Sequence, residues 1–156
     1  MARRLHRGLA AASLACGLAL PVPASDLSGT WIGTIPKEGR RAARDVTFRL
    51  VQDGESLAGK AYNDTGTSDA IITGLVADGK VSFDVEALEQ SGNQINIVLY
   101  EFRGRVEGSA IELTREKAAA HNAASGAEVP VRRAWDSDEE DRKRRFLSFS
   151  LARLAR

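Results

Sequence analysis

Four glycine-bearing turns divide Gly29 to Glu116 into short alternating runs: Asp53-Gly54, Asp78-Gly79, Ser91-Gly92-Asn93 and Glu107-Gly108. Each lies between stretches rich in Val, Ile, Phe and Thr, the residues that suit a pleated, half-buried surface. Asp-Gly readily takes φ > 0 at both central positions, so it closes a two-residue hairpin with the twist that flanking strands require. Consecutive hairpins make a meandering antiparallel sheet. Period-two alternation then places the strands. The predicted runs are Gly29 to Ile35, Asp45 to Gln52, Glu55 to Tyr62, Asp69 to Val76, Lys80 to Ala87, Gln94 to Val106, Ala110 to Glu116, and a poorer last one from Glu128 to Ala134. Eight short strands in chain order predict an all-β fold, an eight-stranded antiparallel up-and-down barrel. Closure removes the exposed edges of such a sheet. Pro130 cannot donate to a ladder, which puts the last strand at an edge or beside a bulge.

The ends of the chain read differently. Arg3, Arg4 and Arg7 precede an apolar run from Gly8 to Leu20, and Pro21-Val22-Pro23-Ala24 supplies small residues for cleavage after Ala24. That is the layout of a secretory signal peptide over residues 1–24. It implies a bacterial periplasmic or extracellular protein. Cys16 is read as a small hydrophobe within the signal core, with a lipidated Cys16 as the alternative. Residues 25–135 form the expected barrel domain. Residues 136–156 form a charged tail with an acidic block (Asp138 to Asp141), a basic block (Arg142 to Arg145) and a closing apolar stretch. Phe146, Leu147, Ser150, Leu151 and Leu154 fit one face of a helix. The tail is read as helical or frayed, with contact to an anionic membrane surface as an alternative.

Composition excludes several chemistries. Removing residues 1–24 takes away Cys16 and His6 and leaves no cysteine and one histidine, His121. A thiol nucleophile, a disulfide and a metal site built from several His or Cys ligands are therefore outside the expected mature chain's reach. His121 stands in a run of small residues with no nucleophile beside it. The Asn63 to Asp69 loop is oxygen-rich but lacks the spaced acidic ligands and closing Glu of a calcium loop. No cofactor or metal is called for, and no catalytic residue. Of the 22 Lys and Arg, three lie in residues 1–24, leaving 19 against 21 Asp and Glu, a net charge of −2. A nucleic-acid binder would show a basic face, and none is expected.

At Ser28-Gly29-Thr30-Trp31 the chain resembles the calycin pattern shared by lipocalins, fatty-acid-binding proteins and avidins. The resemblance implies that Trp31 closes one barrel end and that a late Arg stacks across it, with Arg115 and Arg133 the candidates. The chain is also similar to a family of small exported bacterial calycin-like barrel domains of unassigned function. That resemblance runs through Gly29 to Trp31, Gln52 to Gly54, Leu57 to Gly59, Val76 to Phe83 and Gly104 to Ile111, with Glu128 to Arg133 as closing strand. It implies fold and export.

The residues themselves give a candidate interior. Phe48, Leu50, Phe83, Val85, Ile95, Ile97 and Leu99 are expected to line it. On the long sixth strand, Ile95, Ile97, Leu99, Glu101, Arg103 and Arg105 share one parity and Val98, Tyr100 and Phe102 the other. With the first set inward, Glu101 and Arg103 approach a barrel mouth. There Glu101 would pair with Arg103, Arg115 or Arg133. An Arg at the mouth would anchor an anion or carboxylate. The leading functional reading is an exported, non-enzymatic barrel that binds a small apolar or amphipathic ligand. Its candidate contacts are Trp31, Phe48, Leu50, Phe83, Val85, Ile97, Leu99, Glu101, Arg103, Arg115 and Arg133. One alternative is a protein-binding module, an inhibitor or envelope accessory, acting through loops and tail. Another is an enzyme using Glu101 with a nearby Arg.

Overall fold

The computed structural model describes residues 26–37, 42–63, 68–131 and 147–155. Eight strands follow one another: β1 (Gly29–Ile35), β2 (Arg44–Asp53), β3 (Ser56–Asn63), β4 (Ser68–Ala77), β5 (Lys80–Ser91), β6 (Gln94–Glu107), β7 (Ala110–Asn122) and β8 (Leu147–Arg153). Each pairs antiparallel with the next, and β8 returns to β1, so the sheet closes into a barrel. The all-β expectation and the up-and-down order hold.

The four turns lie where the glycines put them, but with two geometries. Asp78 and Gly79 both have positive φ (51° and 71°), as the Asp-Gly argument requires. In the other three the glycine is the first of two loop residues and alone takes φ near +60°: Gly54 (59°), Gly92 (61°) and Gly108 (61°). The preceding Asp53, Ser91 and Glu107 are the last residues of their strands.

Alternation along β2 and β5 turns Val46, Phe48 and Leu50, and Val81, Phe83 and Val85, to the inside, where all six are buried. The phenyl rings meet at the barrel's centre. Phe83 stacks on Phe102 with centroids 4.8 Å apart, and Phe48 meets both edge-on at 5.3 and 5.5 Å. Phe149 completes the group, 6.3 Å from Phe102. Edge-to-face and offset contacts at these separations are the favoured arrangements of aromatic pairs. Gly59, in mid-strand at φ 152°, lies so close to β2 that a Cβ there would sit 2.0 Å from the Arg49 carbonyl oxygen. No other residue type fits that approach.

Three expectations are corrected. First, the closing strand is β8, not Glu128 to Ala134. Leu147, Phe149 and Leu151 point inward and are buried, while Ser148 and Ser150 face solvent, a period of two where a helix face was expected. The barrel thus runs to Arg153 and does not end at Trp135. The Glu128 region makes one isolated bridge, His121 to Glu128, plus a Val129 N–H to Ala120 O bond of 2.9 Å. Pro130 has no N–H with which to continue that ladder.

Second, β7 does not end at Glu116: the Ala-rich stretch after it is the upper half of the strand, which runs to Asn122. Leu99 pairs with Ala119 and Tyr100 with Lys117, so Ala118 is an extra residue, a bulge that keeps Lys117 and Ala120 both opposite inward-facing positions of β6. Third, β6 has the opposite parity to the one adopted for the interior. Asn96, Val98, Tyr100 and Phe102 are buried and face inward, and Ile95, Ile97, Leu99, Glu101 and Arg103 lie on the outer wall. The hairpin with β5 decides this, because Phe83 faces Phe102 and Val85 faces Tyr100 across the ladder. The signal segment and residues 132–146, including Arg133, lie outside the described residues.

Candidate functional site

The two barrel ends are built differently. At the end carrying the Gly54, Gly79 and Gly108 turns, the chain entering β1 folds across the opening. Leu27 is fully buried there, held by its N–H to Gln52 Oε1 (2.9 Å), and the Trp31 indole N–H donates to Leu27 O at 2.8 Å. Arg153, near the end of β8, lays its guanidinium 5.2 Å from the Trp31 ring centroid. The same group donates to the carbonyl oxygens of Asp26 (2.7 Å) and Ser28 (2.6 Å). Trp31 therefore closes a barrel end, and a late Arg does cross it. That Arg is Arg153, not Arg115, which stacks on Tyr100; Arg133 lies outside the described residues. Leu50 lies inward at the same end, so Trp31 and Leu50 are parts of a packed plug.

The opposite end holds a cavity of about 550 Å³. Phe48, Phe102 and Val85 form its floor, directly above the phenyl cluster, and Ile35, Val46 and Ala61 contribute apolar wall. Phe83 stands beneath, packed against Phe102. The polar side comes from β5, β6 and β7, whose longer strands continue beyond the floor. Tyr100 donates its hydroxyl hydrogen bond to Glu89 Oε1, and Lys117 Nζ lies 2.8 Å from Glu89 Oε2. Arg115, buried to within 3% of its surface, places its guanidinium carbon 4.4 Å from the Tyr100 ring centroid. Arg115 is also the cross-strand partner of Phe102, so the charge sits where apolar floor meets polar wall. On the far side of the mouth stand Arg44, the first residue of β2, and Asp69 of β4. Burial pushes the Asp69 carboxyl above the usual carboxylate range, and Arg44 pulls it partly back.

The structure thus brings Phe48, Val85 and Arg115 of the expected contacts to one cavity. Trp31, Leu50 and Phe83 are inward but away from it. Ile97, Leu99, Glu101 and Arg103 are on the outer wall, where Arg103 donates to Glu101 Oε2 at 2.8 Å. The Glu101–Arg103 pair forms as expected, but outside the barrel. Its neighbours there are Asp84 and Glu116, across the ladder on either side. Burial, and then Glu101, raise the Asp84 carboxyl above its ordinary range, with Arg103 acting in the other direction. Tyr100, Glu89, Lys117, Arg44 and Asp69 were missed. Tyr100 and Phe102 had a readable signal in their shared parity, and Lys117, one residue past the predicted end of its strand, keeps the parity of Leu113 and Arg115. Among the described residues no group of three or more His, Cys, Asp or Glu is placed to hold a metal ion.

No family model matches the chain, and no curated protein or solved structure matches it either.

Proposed function

We propose that this protein is an exported, non-enzymatic barrel of calycin-like type that binds one small amphipathic molecule in the open end. A single observation carries the reading. One end of the barrel is sealed by Trp31, Leu27 and Arg153, while the other keeps a cavity of about 550 Å³ with an aromatic floor and polar groups gathered on one wall. Ligand pockets of that size combine apolar lining with a few polar groups that fix orientation. Export rests on the Arg3 to Ala24 segment, and the calycin likeness on Gly29-Thr30-Trp31 together with the Trp31–Arg153 closure. Native mass spectrometry of the protein purified from its own envelope tests the reading. A co-purifying small mass, lost on denaturation, is the expected result; repeated recovery of the bare mass from several growth conditions contradicts it.

A second reading, a protein-binding module, is favoured by the outer face of the β5–β6 hairpin. Leu88 (70% exposed) and Ile95 (54% exposed) stand there beside Ile97, which faces Leu88 across the ladder. Exposed apolar clusters of this kind mark contact surfaces. Capture of a defined partner lost on Leu88→Ser would support it.

A further inference from the structure

We infer that the cavity selects a short, uncharged amphiphile, its alkyl body standing on the Phe48–Phe102 floor and its neutral polar head at the rim. The inference rests on the cavity reading above and adds two properties to it, limited depth and absence of charge.

Depth follows from the aromatic cluster. Phe48, Phe83, Phe102 and Phe149 fill the waist of the barrel, with neighbouring centroids 4.8 to 6.3 Å apart. Below them Leu50, Val81, Ile111 and Leu151 are packed at 2% exposure or less. A bound chain cannot thread through to the Trp31 end without displacing that core. Above the rings, β2 offers two further inward positions, Val46 and Arg44, and Arg44 is its first residue. Four residues from Phe48 to Arg44, at about 3.3 Å each on strands tilted by about 40° as in closed barrels, give a usable depth of about 10 Å. An extended octyl chain has about that length.

The second property follows from how the charged groups around the cavity are already matched. Glu89 receives both the Tyr100 hydroxyl and the Lys117 ammonium. Arg115, stacked on Tyr100, is likewise engaged within the protein. At the rim the Arg44 charge favours the ionised Asp69 carboxyl, and Asp45 accepts from Thr34 Oγ1 at 2.8 Å. Among the described residues that line the cavity or bond to its lining, the cations Arg44, Arg115 and Lys117 stand against the anions Asp45, Asp69 and Glu89, three against three. The wall therefore holds no net charge for a ligand to neutralise. A charged head would bring an unmatched charge among groups already matched, and would give up part of its hydration to do so. A hydroxyl, ester or amide head loses far less, and at the rim it keeps its hydrogen bonds to water. The alkyl body gains from the Phe48, Val85 and Ile35 surfaces whatever the head.

Isothermal titration calorimetry of the purified protein at pH 7 tests both properties, with 1-hexanol, 1-octanol and 1-dodecanol for depth and with octanoate and octylammonium for charge. Affinity is expected to climb from hexanol to octanol by about fourfold per methylene, the transfer value for a buried CH2. Dodecanol is expected to add less than about fourfold in total over its four extra methylenes, and a larger gain overturns the depth assignment. Octanol is expected to bind about tenfold tighter than either ion, because only the ions bring a charge to a matched rim. Equal or tighter binding of octanoate or octylammonium overturns the charge assignment and leaves the cavity reading standing. Two rim variants test the matching itself. Asp69→Asn leaves the surplus charge on Arg44 and should improve octanoate binding, whereas Arg44→Gln leaves it on Asp69 and should improve octylammonium binding. Octanol binding should be unchanged in both, and thermal melts show whether each barrel is intact. An ion whose binding does not move in its variant overturns the charge assignment. Should a variant fail to fold, the comparison of heads on the unaltered protein still decides. Absence of binding by every probe overturns the cavity reading itself.

Discussion

Ending the chain before Leu147 removes β8 and with it the closure of the barrel. Leu147, Phe149 and Leu151 are at most 8% exposed, and burying an aliphatic or phenyl side chain contributes about 1.5–3 kcal/mol each. Together they supply about 5–9 kcal/mol, against a total of about 5–15 kcal/mol for an ordinary domain. The truncation also strips the ladder from the free edges of β1 and β7 and takes Arg153 from Trp31. Exposed edges of that kind invite pairing between chains. The truncated protein is therefore expected to lose its cooperative urea transition, to bind a dye that reports exposed apolar surface, and to aggregate. A milder version, Leu151→Ala in the full chain, is expected to lower the unfolding free energy by about 2–5 kcal/mol, since Leu151 is fully buried. A truncated chain with a urea midpoint close to that of the full chain would refute the reasoning. It would mean that another segment closes the sheet and that β8 is dispensable.

Arg153→Met is expected to cost about 1–3 kcal/mol through its bonds to the Asp26 and Ser28 carbonyls and its stacking on Trp31, and to shift tryptophan emission to the red; an unchanged spectrum and melt would contradict the plug. The parity of β6 is tested by a pair of variants: Val98→Asp, at a 1% exposed inward position, should abolish folding, whereas Ile97→Asp on the outer wall should change stability by less than about 1 kcal/mol in chemical denaturation. The reverse outcome would turn the strand over. For Asp69 and Asp84 the folded carboxyl lies above its unfolded value, so the native state holds protons more tightly. Their favourable contribution is complete below the unfolded value of 3.8 and is lost as pH rises through the raised folded value. Asp69→Asn and Asp84→Asn should therefore stabilise the protein at pH 7, with the gain shrinking in thermal melts as pH falls through the raised folded value toward 3.8. A gain that grew on acidification would contradict the burial argument.

Much of the barrel was legible because glycine turns and alternation are local signals. β1 was predicted at its observed bounds, and β5 showed its inward face in Val81, Phe83 and Val85. β6 was ambiguous because it carries apolar residues on both parities, and single-strand periodicity cannot choose between them. The choice was nevertheless present in the turn. A two-residue loop at Gly92-Asn93 pairs Ser91 with Gln94, and counting back along both strands sets Val85 opposite Tyr100. β8 was missed for a different reason. Leu147-Ser148-Phe149-Ser150-Leu151 alternates cleanly, but Phe146, Leu147, Ser150 and Leu151 also fit a helical face, and only pairing with β7 and β1 separates the two. Arg153 was hidden by the same error. At the candidate site, Phe48, Val85 and Arg115 were accessible to sequence reasoning. Glu89, Tyr100 and Lys117 meet through the pairing of β5, β6 and β7, and Glu89 and Lys117 both lie beyond the predicted ends of their strands, Ala87 and Glu116.

The most direct measurement is a set of intermolecular nuclear Overhauser effects between the protein and 1-octanol, a small amphipathic probe, added in excess. Contacts from the alkyl chain to Val85, Phe48 and Phe102, with no contact to Trp31, are the expected pattern. Contacts to Trp31 and Leu27, or to the outer-wall residues Ile95 and Ile97 instead, would contradict the assignment of the open end as the binding site.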